Sequence, residues 1–219
     1  MPRTETTRVL IVDDHPLMRE GLAARIATQH DLEVCDEAGS VREALAKVKA
    51  TRPHLVIVDI MLAGSHGIDL IKQVNATYPD VKMLVVSAYD ESLYAERALR
   101  AGAHGYVNKR ECQEKIIEAI RTVLAGRRYV SSEMTQRLLG QAVGSSDVTP
   151  SDPIARLSNR ELEVFQLIGQ GKATGEIARE LHLSVHTIET HREKLRRKLG
   201  LKNGGQLMRS AIHHFLRRD

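Results

Sequence analysis

"LVIVDIMLAG", residues 55–64, places one acid directly after four apolar residues. A run that is apolar at every position reads as a strand buried on both faces, the kind found inside parallel sheets. "VLIVDDHP", residues 9–16, has the same form and ends in Asp13 and Asp14. Further apolar runs occupy 83–86 and 105–107, with a weaker one at 32–35. Amphipathic segments lie between them at 16–28, 41–50, 67–77, 92–101 and 113–124. In the last, Ile116, Ile117, Ile120, Val123 and Leu124 mark one helical face. Five strands alternating with five helices predict an α/β fold with a five-stranded parallel sheet covered on both sides, in flavodoxin-like doubly wound order.

The alternation stops after residue 124. Residues 126–153 read as a linker: a short helix near 132–141, then a Gly/Ser/Asp/Pro stretch. Residues 154–219 read as all helix. Ser158 and Glu161 form a capping box, and Gly169 and Gly171 stop that helix. A second helix is expected over 174–181. A third, capped by Ser184, covers 185–199 with Gly200 just past its end, and a fourth runs from about Gly205 to Leu216. The organisation is thus an N-terminal domain over 1–125, a linker over 126–153 and a helical domain over 154–219.

Composition fits a soluble protein of about two domains, with 219 residues, 42% hydrophobic and 27% charged. No window approaches the roughly 18 apolar residues of a membrane span. "MPRTETTR" at the start has no apolar signal core. The two cysteines, Cys35 and Cys112, have no metal-type spacing, and a reducing cytoplasm is expected. Charge is unevenly divided: residues 154–219 carry 13 Lys and Arg against 7 acids, a net +6, and the remainder carries −2. A small basic module on a slightly acidic one points to a polyanion partner.

Why should acids end strands one and three? In an open parallel sheet, ligands bind beyond the carboxyl ends of the strands. In the doubly wound order those two strands are neighbours, so Asp13, Asp14 and Asp59 converge. Their repulsion calls for a hard divalent cation, and Mg²⁺ suits one or two carboxylates plus a phosphate. Ser87 ends the fourth run in "MLVVSA", and Lys109 follows the fifth in "GYVNK". A hydroxyl and an ammonium at the same edge are donors for phosphoryl oxygens. The set suits an acyl phosphate formed on one aspartate.

On these residues, 8–124 resembles the receiver domain of two-component response regulators, and "DDHPLMREGL" is similar to the NarL/FixJ family. The resemblance implies that a sensor histidine kinase phosphorylates Asp59. It implies Mg²⁺ held by Asp14, Asp59 and the backbone carbonyl of Met61, with Asp13 acting mainly through water. Ser87 and Lys109 engage the phosphoryl group, and Tyr106 is the aromatic whose rotamer couples to the Ser87 shift. One departure stands out: Ala63 occupies the position where that loop is expected to carry proline.

"LSNRELEVFQLIGQGKATGEIARELHLSVHTIETHREKLRRKLGL" resembles the LuxR-type helix-turn-helix of the same family. Ile177, Ala178, Leu181, Val185 and Ile188 are expected to pack its two crossing helices. The resemblance puts Glu189, Thr190 and Glu193 toward the DNA major groove, where a carboxylate can accept from cytosine N4. His191, Arg192, Lys194, Arg196, Arg197 and Lys198 supply positive charge, with Arg192, Lys194 and Thr187 contacting phosphates. Paired half-sites, a homodimer formed on activation through the fourth helix, and RNA polymerase as a further partner follow from the same resemblance.

Two alternatives are distinguishable. One is a degenerate receiver that binds DNA without a phosphoryl switch, for which Ala63 is the sequence support. The other is a Mg²⁺-dependent phosphatase, which needs a second acid near the acceptor; Met61, two residues on, cannot serve. "GQGKAT" lacks the spacing of a phosphate loop, and the adjacent His213 and His214 point apart on a helix.

Overall fold

The computed structural model describes residues 6–62, 64–142 and 153–216. Ala63 lies outside the described residues. The chain forms two compact units, divided between residues 145 and 146.

In the first unit the central sheet contains β1 (Thr7–Val12), β2 (Leu32–Ala38), β3 (Leu55–Val58), β6 (Lys82–Ser87) and β7 (Gly105–Asn108). A two-stranded hairpin, β4 (Met61–Leu62) with β5 (Ser65–His66), follows β3 and was not expected from the hydrophobic pattern. The sheet order is β2-β1-β3-β6-β7, all parallel, which is the doubly wound order expected. Helices α1 (Pro16–Ala27), α2 (Val41–Thr51), α3 (Gly67–Thr77), α4 (Glu91–Ala101) and α5 (Cys112–Leu124) connect the strands.

Side chains alternate across the sheet. Val9, Ile11, Leu55, Ile57, Leu84 and Val86 pack with Leu22 and Ile26 of α1 and with Ile116, Ile120 and Val123 of α5. The intervening residues, Leu10, Val56, Val58 and Val85, are buried on the other face. Burial on both sides explains why β1 and β3 are apolar throughout. Cys35 is the extra residue of a β-bulge in β2, half-buried rather than buried, with Sγ donating to the Val9 carbonyl at 3.4 Å. Cys112 opens α5 and is buried.

After α5 the chain returns to the sheet edge. Tyr129 forms a parallel bridge with Gly105, and α6 (Ser132–Ala142) packs on α4. The short helix expected near 132–141 is therefore present and lies against the first unit.

The second unit contains a 3₁₀ turn (Pro153–Arg156) and helices α7 (Asn159–Gly169), α8 (Thr174–Glu180), α9 (Val185–Leu199) and α10 (Gly204–Leu216). The capping box forms as expected: Ser158 Oγ accepts from the Glu161 amide, and Glu161 accepts from the Ser158 amide at 2.7 Å. The core includes Leu162, Phe165, Ile168, Ile177, Leu181, Ile188, Leu195 and Leu207. Val185 departs from expectation. It is 54% exposed at the first position of α9, while Ile188, one turn on, is fully buried.

Candidate functional site

Backbone register brings the acids together. Val12 pairs with Val58, and the next amide, that of Asp59, donates to the Val12 carbonyl at 2.8 Å. Asp13 and Asp59 therefore leave neighbouring strands at the same level. Ser87 pairs with Asn108, and the Lys109 amide donates to the Ser87 carbonyl at 2.8 Å. One edge of the sheet thus collects Asp13, Asp14, Asp59, Ser87 and Lys109.

Lys109 Nζ lies 2.6 Å from Asp13 Oδ2 and 2.6 Å from Asp59 Oδ2. Both acids are nearly inaccessible, at 1% and 4% exposure. Burial pushes the Asp59 pKa up to about 6; Lys109 pulls it down, and the Asp13 charge raises it again. Burial pulls the Lys109 pKa down, but Asp59 and Asp13 outweigh it and hold the ammonium above its ordinary value. Asp13, Asp14, His15 and Asp59 offer ligand atoms all within 4.8 Å of one another. His15 Nδ1 sits 2.7 Å from Asp14 Oδ1 at the solvent side.

Gly67 secures the site's geometry. A Cβ there would lie 2.0 Å from the Asp59 carbonyl oxygen, so any larger residue displaces the Asp59 backbone. The Met61 amide donates to Asp59 Oδ1 at 3.4 Å, orienting the carboxylate.

Ser87 is fully buried, and its Oγ accepts from the Tyr89 amide at 3.4 Å. Tyr106 is buried too. Its hydroxyl donates to the Tyr89 carbonyl at 2.8 Å, and Asn108 Nδ2 donates to the same oxygen at 3.4 Å. Burial raises the Tyr106 pKa well above its usual value, so the phenol stays protonated and remains a donor.

On α9, Ile188 and Leu195 face the core, Thr187, His191, Arg192, Arg196 and Leu199 are half-buried, and Glu189, Thr190, Glu193, Lys194 and Arg197 are exposed. Glu189 is exposed; it accepts from Thr174 Oγ1 at 3.0 Å and lies 3.9 Å from Arg192 Nε. Glu193 pairs with Arg196, and Thr190 Oγ1 donates to the His186 carbonyl at 3.0 Å. Thr187 completes the Ser184 cap, the two hydroxyl oxygens being 2.8 Å apart. Lys194 and Arg197 are exposed and form no ion pair among the described residues.

Comparison with known proteins agrees with this geometry. Residues 9–121 match the family model of the response regulator receiver domain, and 155–211 match that of bacterial regulatory proteins of the luxR family. The oxygen regulatory protein NreC of Staphylococcus carnosus is 36% identical over 209 residues, covering 94% of this chain and 96% of NreC. The chain belongs to the two-component response regulators.

Two solved structures are similar to this response regulator. A LuxR-family response regulator from Aurantimonas is 32% identical with TM-score 0.59, covering 64% of this chain and 99% of that one. RcsB from Salmonella enterica serovar Typhimurium, bound to promoter rprA in the presence of the phosphomimetic BeF₃⁻, is 25% identical with TM-score 0.61. That match covers 94% of this chain and 98% of the RcsB chain.

The aspartates, Ser87 and Lys109 of the response regulator thus share one edge, with Tyr106 behind it. Two expectations of charge are corrected. Burial, with Lys194 and Arg160 nearby, lowers the His191 pKa, so this residue is neutral rather than a source of positive charge. Lys198 reaches back 2.6 Å to Glu161, and the pair fastens α9 to the start of α7. Sequence reasoning missed His15, Gly67 and the Tyr89 carbonyl. Only Gly67 left a signal, as a glycine directly before a helical pattern.

Proposed function

We propose that Asp59 is the phosphoacceptor and that its acylation by a sensor histidine kinase governs DNA binding by α9. The supporting observation is Lys109 Nζ at 2.6 Å from both Asp13 and Asp59, beside the fully buried Ser87. The acid that accepts is buried, aimed by the Met61 and Gly67 backbone, and next to donors suited to phosphoryl oxygens. An Asp59 carboxylate oxygen attacks phosphorus as the phosphorus–nitrogen bond of the donor histidine breaks. The electron pair leaves with the imidazole, which takes up a proton. Lys109 then turns from Asp59 to the phosphoryl group, keeping Asp13 as its anchor.

The donor set is all oxygen apart from His15, which suits Mg²⁺. Asp13, Asp14, Asp59 and the Met61 carbonyl would hold it. Bound there, it would neutralise charge on the incoming phosphoryl oxygens.

For the second unit, Glu189, Thr190 and Glu193 read bases in the major groove. Arg192, Lys194, Arg197 and Thr187 contact phosphates, and His191 supports them as a neutral hydrogen-bonding group. The active form is a homodimer joined through α10 and contacting paired half-sites, in the cytoplasm, with RNA polymerase as the further partner. Functionally the chain divides at 1–125, 126–153 and 154–219.

The test is intact-mass measurement after incubation with acetyl phosphate and Mg²⁺. One phosphoryl adduct in the wild type and none in Asp59→Ala is expected. An adduct in both places the acceptor elsewhere. None in either, with a labelling receiver as control, favours the degenerate receiver.

A further inference from the structure

We infer that α6 is the element that reads the phosphorylation state, and that Glu91 and Arg137 are the positioning residues that couple it to the switch. This rests on Asp59 being the acceptor. The segment after Ser87 is held by three hydrogen bonds that meet at one residue. The Tyr89 amide donates to Ser87, and the Tyr89 carbonyl accepts from Tyr106 and from Asn108. If Ser87 turns toward a phosphoryl group, the first bond breaks; if Tyr106 moves, the second goes with it.

Displacement of Tyr89 reaches α4 directly. Asp90 is the N-cap of that helix, with Oδ1 accepting from the Ser92 amide at 2.7 Å. The first turn of α4 is also where the chain beyond α5 is tied down. Glu91 Oε1 accepts from the Ser131 amide at 2.8 Å, and Arg137 Nη1 donates to the Ser92 carbonyl at 3.0 Å. Both tethers of α6 therefore end one or two residues beyond the N-cap.

A second connection runs through the sheet edge. The Tyr106 amide donates to the Tyr129 carbonyl at 2.7 Å, and the Tyr129 amide donates to the His104 carbonyl at 3.1 Å. Gly105 makes this approach possible, since a Cβ there would lie 2.8 Å from the Tyr129 carbonyl oxygen. Thus Tyr106 holds Tyr89 with its hydroxyl and the strand leading into α6 with its amide. Met134, 2% exposed, anchors the helix apolarly. Residues 143–152 then lead into the second unit.

A helix that merely covers an apolar patch needs only Met134. The polar tethers to the switch turn are what coupling requires, and they make the inference testable. Amide exchange is measured in the full-length protein with and without beryllofluoride and Mg²⁺, for wild type, Glu91→Ala, Arg137→Ala and Arg137→Lys. In wild type, beryllofluoride alters exchange at residues 87–92 and at 131–140. In Glu91→Ala and Arg137→Ala the change at 87–92 persists while that at 131–140 is lost. Resting exchange at 131–140 rises about tenfold, as expected for one charge-assisted bond. Arg137→Lys, which keeps a donor, restores part of the response. A wild type that responds at 87–92 but not at 131–140 overturns the coupling and leaves Asp59 as the acceptor. So do variants that respond at both segments like the wild type. No response at either segment, together with no phosphoryl adduct by mass, overturns coupling and acceptor together.

Discussion

Replacing Asp59 by asparagine should make the resting protein more stable, even though it removes the proposed phosphoacceptor. In the folded chain the Asp59 pKa is raised to about 6 from an ordinary 3.8, already net of the attraction of Lys109. A folded-state pKa above the unfolded one means that the folded state holds the proton more tightly. Stability is therefore lost as pH rises from about 4 to 6, and at pH 7.5 the whole penalty is present. A shift of about two units corresponds to about 3 kcal/mol. Asparagine keeps the oxygen that accepts from the Met61 amide, removes the charge, and leaves Lys109 paired with Asp13. The assay is a urea titration with chelator present, read by amide exchange at residues 9–12 and 55–58. Those strands report opening of the N-terminal unit apart from the C-terminal one. The expected gain is up to about 3 kcal/mol at pH 7.5, fading as pH falls from about 6 to 4 and gone well below about 4, where wild-type Asp59 is neutral whether folded or not. Added Mg²⁺ should stabilise wild type more than the variant, because a cation that binds only the folded chain offsets the same charge. Equal stabilities at pH 7.5, or a difference that persists unchanged at pH 4, would refute the reasoning.

Other expectations are independent of that one. Gly67→Ala forces a Cβ into the Asp59 carbonyl and should cost about 1–3 kcal/mol while slowing acetyl-phosphate labelling; wild-type labelling and melting in the variant would show that the backbone yields. The His104 ring accepts from the Met83 amide at 3.3 Å, and burial lowers its pKa to about 4. The folded ring stays neutral and the bond intact down to about pH 4, while its stabilisation is full above about pH 6.5 and is lost as pH falls toward 4, so His104→Gln should flatten that part of the acid-unfolding profile. Ile188→Ala should destabilise the second unit by about 2–4 kcal/mol, against less than about 1 for the exposed Val185→Ala; similar losses on thermal melting would contradict the orientation of α9. Lys194→Ala should lower the slope of log affinity against log salt by about one, measured by fluorescence anisotropy on duplex DNA.

What was legible in the sequence follows from where periodicity is strong. The all-apolar runs at 9–12 and 55–58 are buried on both faces, so strand identity, parallel order and the acids at their ends were readable together. The β4–β5 hairpin was not, because two-residue strands carry no period. Helix existence in the second unit came from the Ser158 and Ser184 caps, but the facing of Val185 did not. At the first residue of a helix the apolar stripe has no preceding turn to fix its phase. Charge was least legible. His191, Lys198, Arg196 and Arg192 read alike as basic residues on one helix. The fold buries the first, fastens the second to Glu161, pairs the third with Glu193 and leaves the fourth 3.9 Å from Glu189.

The same electrostatics explains why the resting site is poised. Lys109 is the cation shared by two buried acids, and Asp14 stands beside them, 2.7 Å from the solvent-exposed His15. One ammonium cannot neutralise three carboxylates, so the edge carries excess negative charge that a divalent cation would relieve. A phosphoryl group adds roughly −1.5 to −2 more and three strong acceptor oxygens. Those oxygens draw Lys109 from Asp59, and a Ser87 hydroxyl turned toward them takes its oxygen away from the Tyr89 amide that donates to it. Loss of that acceptor would loosen the segment that Tyr106 and Asn108 also hold. Chemistry at one carboxylate is thereby converted into movement at the start of α4 without any group having to travel between the two sites.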